Sequence, residues 1–267
     1  MPDIAVIGGS GFYTFLDDPD DLRVATPYGE VAVSVGNVAG REVAFLPRHG
    51  AHHEYPPHGV NYRGNLWALG SLGVRQVLGP CAVGSLRPEL GPGTLVLPDQ
   101  LVDRTSGRVQ TYIEAGASHA PFADPYCPRI AEHVLAGEPE VVGGGTMVVV
   151  EGPRFSTRAE SQWFAAQGWS LVNMTGHPEA VLARELGLCY SALALVTDLD
   201  AGLEVGEGVG QAEVFRIFAE NIERLKALLG RVIADLPDPA GCTCSSWMDG
   251  VELAYELPAE LPSSERS

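Results

Sequence analysis

Ile4-Ala-Val-Ile-Gly-Gly-Ser-Gly11 is a short apolar run of β type that breaks straight into a glycine-rich loop. The same grammar repeats along the first 200 residues. Apolar β-type runs fall at 31–35, 43–46, 74–78, 95–97, 146–150 and 190–196, and amphipathic helical patterns lie between several of them, at 62–72, 128–135, 157–167 and 178–186. Such alternation predicts an α/β fold, a sheet flanked by helices. The clearest helix runs over 211–236, where Val214, Ile217, Phe218, Ile222, Leu225, Leu228, Leu229 and Val232 keep an apolar stripe of period 3.6 that should close one face of the sheet.

The Pro/Gly-rich break Leu236-Pro-Asp-Pro-Ala-Gly241 stops that helix, and beyond it six carboxylates face one arginine. This divides the chain into a domain over 1–236 and an acidic C-terminal appendage over 237–267, partly irregular, with a frayed end at 262–267. Asp17-Asp-Pro-Asp-Asp21 reads as a solvated acidic loop. At 267 residues, with 45% hydrophobic and 19% charged residues and no apolar run near the roughly 20 residues of a membrane span, the composition is that of a soluble globular protein. Its basic side is sixteen arginines and the single Lys226, against a formal net charge of −17. A concentrated basic surface for nucleic acid and a polybasic segment for anionic lipid are both missing, which argues against nucleic-acid and membrane partners. A small anionic ligand remains compatible, because it feels its site rather than the average charge. The start lacks the features of a secretory signal, so a cytoplasmic location is expected. Cys81, Cys127, Cys189, Cys242 and Cys244 show neither a secreted disulfide framework nor the paired spacing of a structural zinc site. Cys242-x-Cys244 reads as two loop thiols or as a disulfide.

Six stretches at strand ends carry chemistry. The Ile7–Gly11 loop offers backbone amides and the Ser10 hydroxyl, but has neither the full dinucleotide fingerprint nor a P-loop, and is either a tight strand-to-helix turn or an anion site. Pro47-Arg-His-Gly50 brings Arg48, whose fork suits phosphate oxygens, and His49 as a second donor, with His52, His53 and His58 nearby. A metal reading of these histidines is disfavoured, since Arg48 repels a cation and the helical ligand spacing is missing; otherwise they are ordinary surface histidines. Pro80-Cys-Ala-Val-Gly-Ser85 reads as another small-residue loop. Glu151-Gly-Pro-Arg-Phe-Ser156 adds Phe155, either a core plug or a platform for a flat heterocycle. Asn173-Met-Thr-Gly-His-Pro-Glu179 marks a strand giving way to a helix near Pro178. In Thr197-Asp-Leu-Asp200 two carboxylates at i and i+2 share a side of an extended chain, as a turn or cap, or as a grip on the edge of a base. The coincidence of anion donors, an aromatic and paired carboxylates argues for one composite pocket.

Taken in order, Ile7-Gly-Gly-Ser-Gly11, Pro27-Tyr-Gly29, Arg48-His-Gly50, Val60-Asn-Tyr-Arg-x-Asn-x-Trp-Ala-Leu69, Glu151-Gly-Pro-Arg-Phe155, Asn173-Met-Thr-x-x-Pro-Glu179 and Thr197-Asp-x-Asp200 resemble the methylthioadenosine phosphorylase branch of the trimeric purine nucleoside phosphorylase family, over about residues 3–230. The resemblance implies a single α/β domain with a mixed central sheet, a homotrimer with sites near subunit interfaces, and a glycosyltransferase of purine salvage. Orthophosphate would be the co-substrate, with no cofactor and no metal. Carried over by motif, phosphate would meet Ser10, Arg48, His49, the Cys81 and Ala82 segment and Thr175. Met174 would lie under the ribose, Phe155 near the purine, and His119 would reach into a neighbouring subunit's site. Asp198 would be the general acid toward purine N7, and Asp200 would accept from a 6-amino group.

The implied reaction is phosphate-dependent cleavage of 5′-methylthioadenosine to adenine and 5-methylthioribose 1-phosphate. The alternative is a purine nucleoside phosphorylase for adenosine, inosine or methylthioinosine. Ser156, Gln211, Val214 and Phe215 fall where specificity is set. Gln211 replaces an apolar residue of methylthio-selective enzymes and is able to bond a 5′-hydroxyl, while Cys81 replaces a hydroxyl residue in the phosphate loop.

Overall fold

The computed structural model describes residues 1–267 apart from 10, 11, 13, 14, 17, 117, 202–208, 254 and 260–267. The opening run is β1 (Ile4–Gly8), and its five residues are all buried. It lies between two parallel neighbours, β4 (Arg41–Pro47) and β5 (Gln76–Ser85). β2 (Asp20–Thr26) and β3 (Gly29–Val38) extend the β4 side as an antiparallel meander. On its other side β5 runs parallel to β11 (Cys189–Leu199), while its last residues also pair antiparallel with β10 (Leu171–Asn173). β10 continues to β9 (Thr146–Val150) and β7 (Gln100–Arg104), and β11 continues to β6 (Leu95–Leu97) and β8 (Val141–Gly143). The result is one mixed sheet, as expected.

Alternation along β1 shows what the sheet separates. Ala5 and Ile7 belong to a core shared with α1 (Tyr62–Ser71) and α4 (Gly176–Glu185), through Leu66, Leu69, Leu182 and Ala183. Ile4 and Val6 face the opposite core, filled by Ile130 of α2 (Pro128–Gly137) and by Leu225, Leu228, Leu229 and Val232 of α5 (Gln211–Asp235). α3 (Arg158–Ala166) begins with a capping box in which Thr157 accepts from Glu160 N and Glu160 accepts from Thr157 N, and its Phe164 covers a smaller cluster with Leu86, Val148 and Val172. Regular helical geometry in α4 starts at Pro178, because His177 is extended, which agrees with the sequence expectation.

Several expectations change. Residues 80–85 are not a loop: they continue β5 to Ser85 as a buried strand, since small side chains are what this crowded centre admits. Asp20 and Asp21 are not in a loop either but open the edge strand β2, where Ser34 Oγ donates to Asp21; Asp17 lies outside the described residues, as do 262–267. Residues 20–26, 100–104 and 141–143 form strands that lack the apolar pattern. Residues 237–259, where described, pack onto the domain, with Trp247 Nε1 donating to Arg184 O and the Tyr255 hydroxyl to Glu185 O. Cys127, Cys189, Cys242 and Cys244, scattered in sequence, meet in space, and in this structure no disulfide joins Cys242 to Cys244. Leu225 is wholly buried between α5 and the sheet. Leu225→Ala should therefore lower unfolding free energy by about 2–5 kcal/mol in urea titration; a loss under about 1 kcal/mol would show that α5 is not seated on this core.

Candidate active site

A cavity of about 270 Å³ opens where β1, β4, β5, β10 and β11 end, beside the first turns of α5. Its lining includes Gly9, Arg48, His49, Cys81, Ala82, Phe155, Ser156, Met174, Thr175, Asp198, Asp200, Gln211, Val214 and Phe215, so most of the residues singled out by sequence converge here. Ser10 lies outside the described residues. His119 is exposed and does not line the cavity.

One end is rich in nitrogen donors, with their commitments already made. Arg48 Nε and Nη2 donate to Glu179 Oε2 and Oε1, both at 2.6 Å, and Nη2 also reaches Ile7 O and Nη1 reaches Pro80 O at 3.3 and 3.4 Å. Both side chains are 1% exposed. The expected free fork for an anion is thus spent on Glu179, which also accepts from the Tyr190 hydroxyl at 2.7 Å. Burial opposes the charge on Arg48, but the Glu179 carboxylate more than offsets it and the guanidinium stays protonated. Among the described residues one Nη1 proton is left without an acceptor, on the side facing Gly9.

His49 is likewise altered. Its Nδ1 is 2.8 Å from Tyr55 O, and a carbonyl only accepts, so Nδ1 carries the proton. Burial, reinforced by Arg48, holds the ring's pKa down to about 4. Neutral His49 therefore presents Nε2 as an acceptor, not the second donor expected. His53, one of the histidines taken as surface residues, instead stacks on His49 with ring centroids 4.8 Å apart and meets Phe215 edge-on at 5.8 Å. Its backbone sits at φ 61°, a costly conformation for a side chain of this size. Burial pushes the Cys81 thiol up to about 12, so it is a neutral, weak donor. Asn173 Oδ1 accepts from Thr175 N at 2.7 Å and Gly176 N at 2.6 Å, while its Nδ2 donates to Ala82 O at 3.1 Å, tying the end of β10 to β5 beside the Thr175 hydroxyl.

The other end is acidic. A shift of register between Val196 and Asp198 leaves Thr197 as the extra residue of a bulge in β11, and turns Asp198 toward Gly84. A Cβ on Gly84 would stand 3.0 Å from Asp198 Oδ1 and 3.2 Å from Asp200 Cβ, so glycine gives both acids room that a side chain would crowd. The Thr197 hydroxyl is 2.8 Å from Asp198 Oδ2 and 3.2 Å from Val83 O. With one proton it serves either arrangement: it donates to ionised Asp198, or it accepts from protonated Asp198 and donates to Val83. Burial pushes the Asp198 carboxyl up to about 6; Thr197 works against the rise and Asp200 adds to it. Burial raises Asp200 too, although Ser161 Oγ donates to it at 2.5 Å. Ser156 Oγ, close enough to Asp200 to hold its pKa down, is buried and meets no partner of normal geometry among the described residues. Arg108, 3% exposed, donates to Met174 O, His177 O and Glu151 O at 2.9, 2.6 and 2.7 Å, and fixes the two loops that present Met174 and Phe155.

Residues 3–234 match the sequence profile of the phosphorylase superfamily. The chain belongs to that superfamily. Within it the phosphorylase falls in the methylthioadenosine phosphorylase branch, as the motifs imply. It is 60% identical to the S-methyl-5′-thioadenosine phosphorylase of Mycobacterium tuberculosis over 96% of this chain and 97% of that one. It is 57% identical to the purine nucleoside phosphorylase of Streptomyces coelicolor over 96% and 98%. The methylthioadenosine phosphorylase of Schistosoma mansoni, solved in complex with adenine, superposes with a TM-score of 0.88 at 33% identity, covering 93% and 97%. Glu179, Asn173, Gly84 and Thr197 lie inside the quoted stretches and His53 beside one of them, but the sequence assigned none of these five a role of its own, and Arg108 falls outside every stretch.

Two outcomes check this geometry. Glu179→Gln leaves the buried Arg48 charge short of its partner and should cost about 3 kcal/mol or more in urea unfolding. Replacing both, Arg48→Met with Glu179→Leu, should cost clearly less than the sum of Arg48→Met and Glu179→Leu alone; strict additivity would show that the pair is not coupled. The second concerns Asp198. The folded chain holds its proton from about pH 3.8 to about 6, where the unfolded chain has released it. Stability contributed by that proton is therefore lost as pH rises through this window. Asp198→Asn should be more stable than the parent by about 2–3 kcal/mol at pH 8 and show no such advantage near pH 4. An equal difference at both pH values would assign the effect to something other than this carboxyl.

Proposed function

We propose that the phosphorylase cleaves 5′-methylthioadenosine with orthophosphate, giving adenine and 5-methylthioribose 1-phosphate. It is a pentosyltransferase, and the observation that carries this substrate is the bulge-borne pair Asp198 and Asp200 at one end of a cavity whose other end holds Arg48, His49 and Thr175. A purine set against the acids and an anion set against the donors leave the sugar between them, over Met174, with Phe155 beside the base.

A phosphate oxygen attacks C1′ as the bond from C1′ to N9 breaks, and the bonding pair passes into the purine. The sugar gains oxocarbenium character, which the anion beneath it stabilises. N7 of the departing base takes a proton, and a carboxyl with a pKa near 6 is matched to give it at neutral pH; Asp198 is the group in place. Asp200 and Ser156 read the purine edge, an acceptor carboxylate suiting a 6-amino group. The Streptomyces relative's name and Gln211 at the cavity mouth favour a second reading, in which 5′-hydroxyl nucleosides are also accepted. Val214 and Phe215 supply the apolar wall for a methylthio group.

The phosphate set comprises Arg48, His49, Cys81, Ala82, Thr175 and Ser10, with no metal or other cofactor in the step. In a homotrimer the exposed His119 reaches a neighbour's site. We place the enzyme in the cytoplasm, in purine salvage, with residues 1–236 as its domain and 237–267 as an appendage. No helix among the described residues is long and apolar enough to cross a membrane.

A panel of methylthioadenosine, adenosine and inosine, each with and without phosphate, tests the reading. Base release should need phosphate and favour methylthioadenosine; preference for inosine would overturn the assignment of the two acids, and release without phosphate would make the enzyme a nucleosidase. Gln211→Val should raise the ratio of methylthioadenosine to adenosine turnover by roughly tenfold, the worth of one apolar contact in a pocket. An unchanged ratio removes Gln211 from the sugar pocket.

A further inference from the structure

Four of the five cysteines gather on the side of the sheet occupied by α2 and α5, apart from the catalytic cavity. Cys127 caps α2, Cys189 opens β11, and Cys242 and Cys244 come from the turn after α5. Their Sγ atoms all lie within 4.8 Å of one another, and Cys242 is 3.6 Å from both Cys127 and Cys244. Three of the four are buried and Cys242 is half-buried. Sulfurs placed tetrahedrally about 2.3 Å from a zinc ion are about 3.8 Å apart, so these four need to move by only tenths of an ångström to close on one.

Arg129 decides between this and a pair of disulfides. Its Nη1 donates to Pro237 O at 2.7 Å and its Nη2 to Gln76 Oε1 at 2.5 Å, which turns the guanidinium against the sulfurs of Cys189 and Cys242. Its Nε is buried and meets no acceptor at normal geometry among the described residues. A disulfide gives this half-buried guanidinium, whose Nε is shut away from water, no charge to face. A zinc ion with four thiolates carries two negative charges, and a charged N–H aimed at ligating sulfur is the outer-shell support such centres use.

We propose that Cys127, Cys189, Cys242 and Cys244 bind one Zn²⁺ as a structural site that fastens residues 237–259 to the phosphorylase domain. All four positions are protein thiolates, so none is left for substrate. Binding releases the four thiol protons and involves no oxidation. A cavity of about 590 Å³ lined by Cys127 and Cys244 gives the ion its way in.

The test is metal analysis of the full chain, purified without chelator or a metal column and with reductant present. About one zinc per chain is expected. Replacing it with Co²⁺ should give the strong visible and thiolate charge-transfer absorption of a tetrahedral tetrathiolate site. Cys242→Ser and Cys244→Ser should each lose the metal and lower Tm by about 5–10 °C, while phosphorolysis at ambient temperature is kept. A parent chain that takes up neither Zn²⁺ nor Co²⁺ overturns the proposal, as does iron in place of zinc. Disulfides among these cysteines in protein whose thiols were blocked at lysis overturn it too.

Discussion

Arg48 and Glu179 hold each other through two parallel bonds at the centre of the molecule, and the catalytic end of the sheet is organised around that pair. Arg48 follows β4 and reaches carbonyls at the end of β1 and in β5, while Glu179 sits on α4 and accepts from Tyr190 of β11. Five elements are thereby fixed relative to one another by a single guanidinium and its carboxylate. Neither charge is tolerable alone in so dry a place, so the pair forms only when all five elements are in position. That coupling makes it a constraint on the fold as well as on the site. For stability alone, well-packed apolar residues of similar volume often serve as well as a buried ion pair, but they would leave no N–H beside Gly9 for an anion.

At the opposite end the same logic runs in reverse, since two acids are brought together without any cation between them. The bulge at Thr197 and the missing side chain at Gly84 make the space, Ser161 Oγ donates to Asp200, and the Thr197 hydroxyl bonds Asp198. Asp198 is left with a pKa well above that of a solvated carboxyl. This works against stability at neutral pH, and the same shift fits the group to give up a proton to a leaving base.

Much of this was legible in the sequence, for reasons that also explain the gaps. Buried central strands such as β1, β6 and β9 and the capped helix α3 write themselves in local apolar pattern and capping residues. β2 and β7 do not, because a strand at a sheet edge keeps polar side chains, and β8 is too short for a pattern. Most of the cavity-lining residues lie in stretches the sequence marked, because strand-end loops with anion donors and acids are unusual in combination. Partners were not found: that Arg48 is committed to Glu179, and His49 to Tyr55 O, are facts of three-dimensional approach between residues 131 and 6 positions apart. The cysteines fail for the same reason, as ligands drawn from three separate stretches leave no spacing to read.

The net charge of −17 then poses its question in a sharper form. Arg48 is cancelled by Glu179, His49 is neutral, Cys81 keeps its proton, and Asp198 and Asp200 lie farther along the same cavity. The proposed phosphate site therefore brings little net positive charge to an anion inside an acidic protein. Two routes resolve this. Phosphate arrives as the monoanion with its P–OH donating to His49 Nε2, or the dianion raises the pKa of His49 until the ring takes a proton from solvent. Both place one proton between His49 and phosphate, and they differ only in where it began. Anion binding here is thus bound up with proton uptake, and the group that governs it is the histidine whose other nitrogen is already held by Tyr55 O.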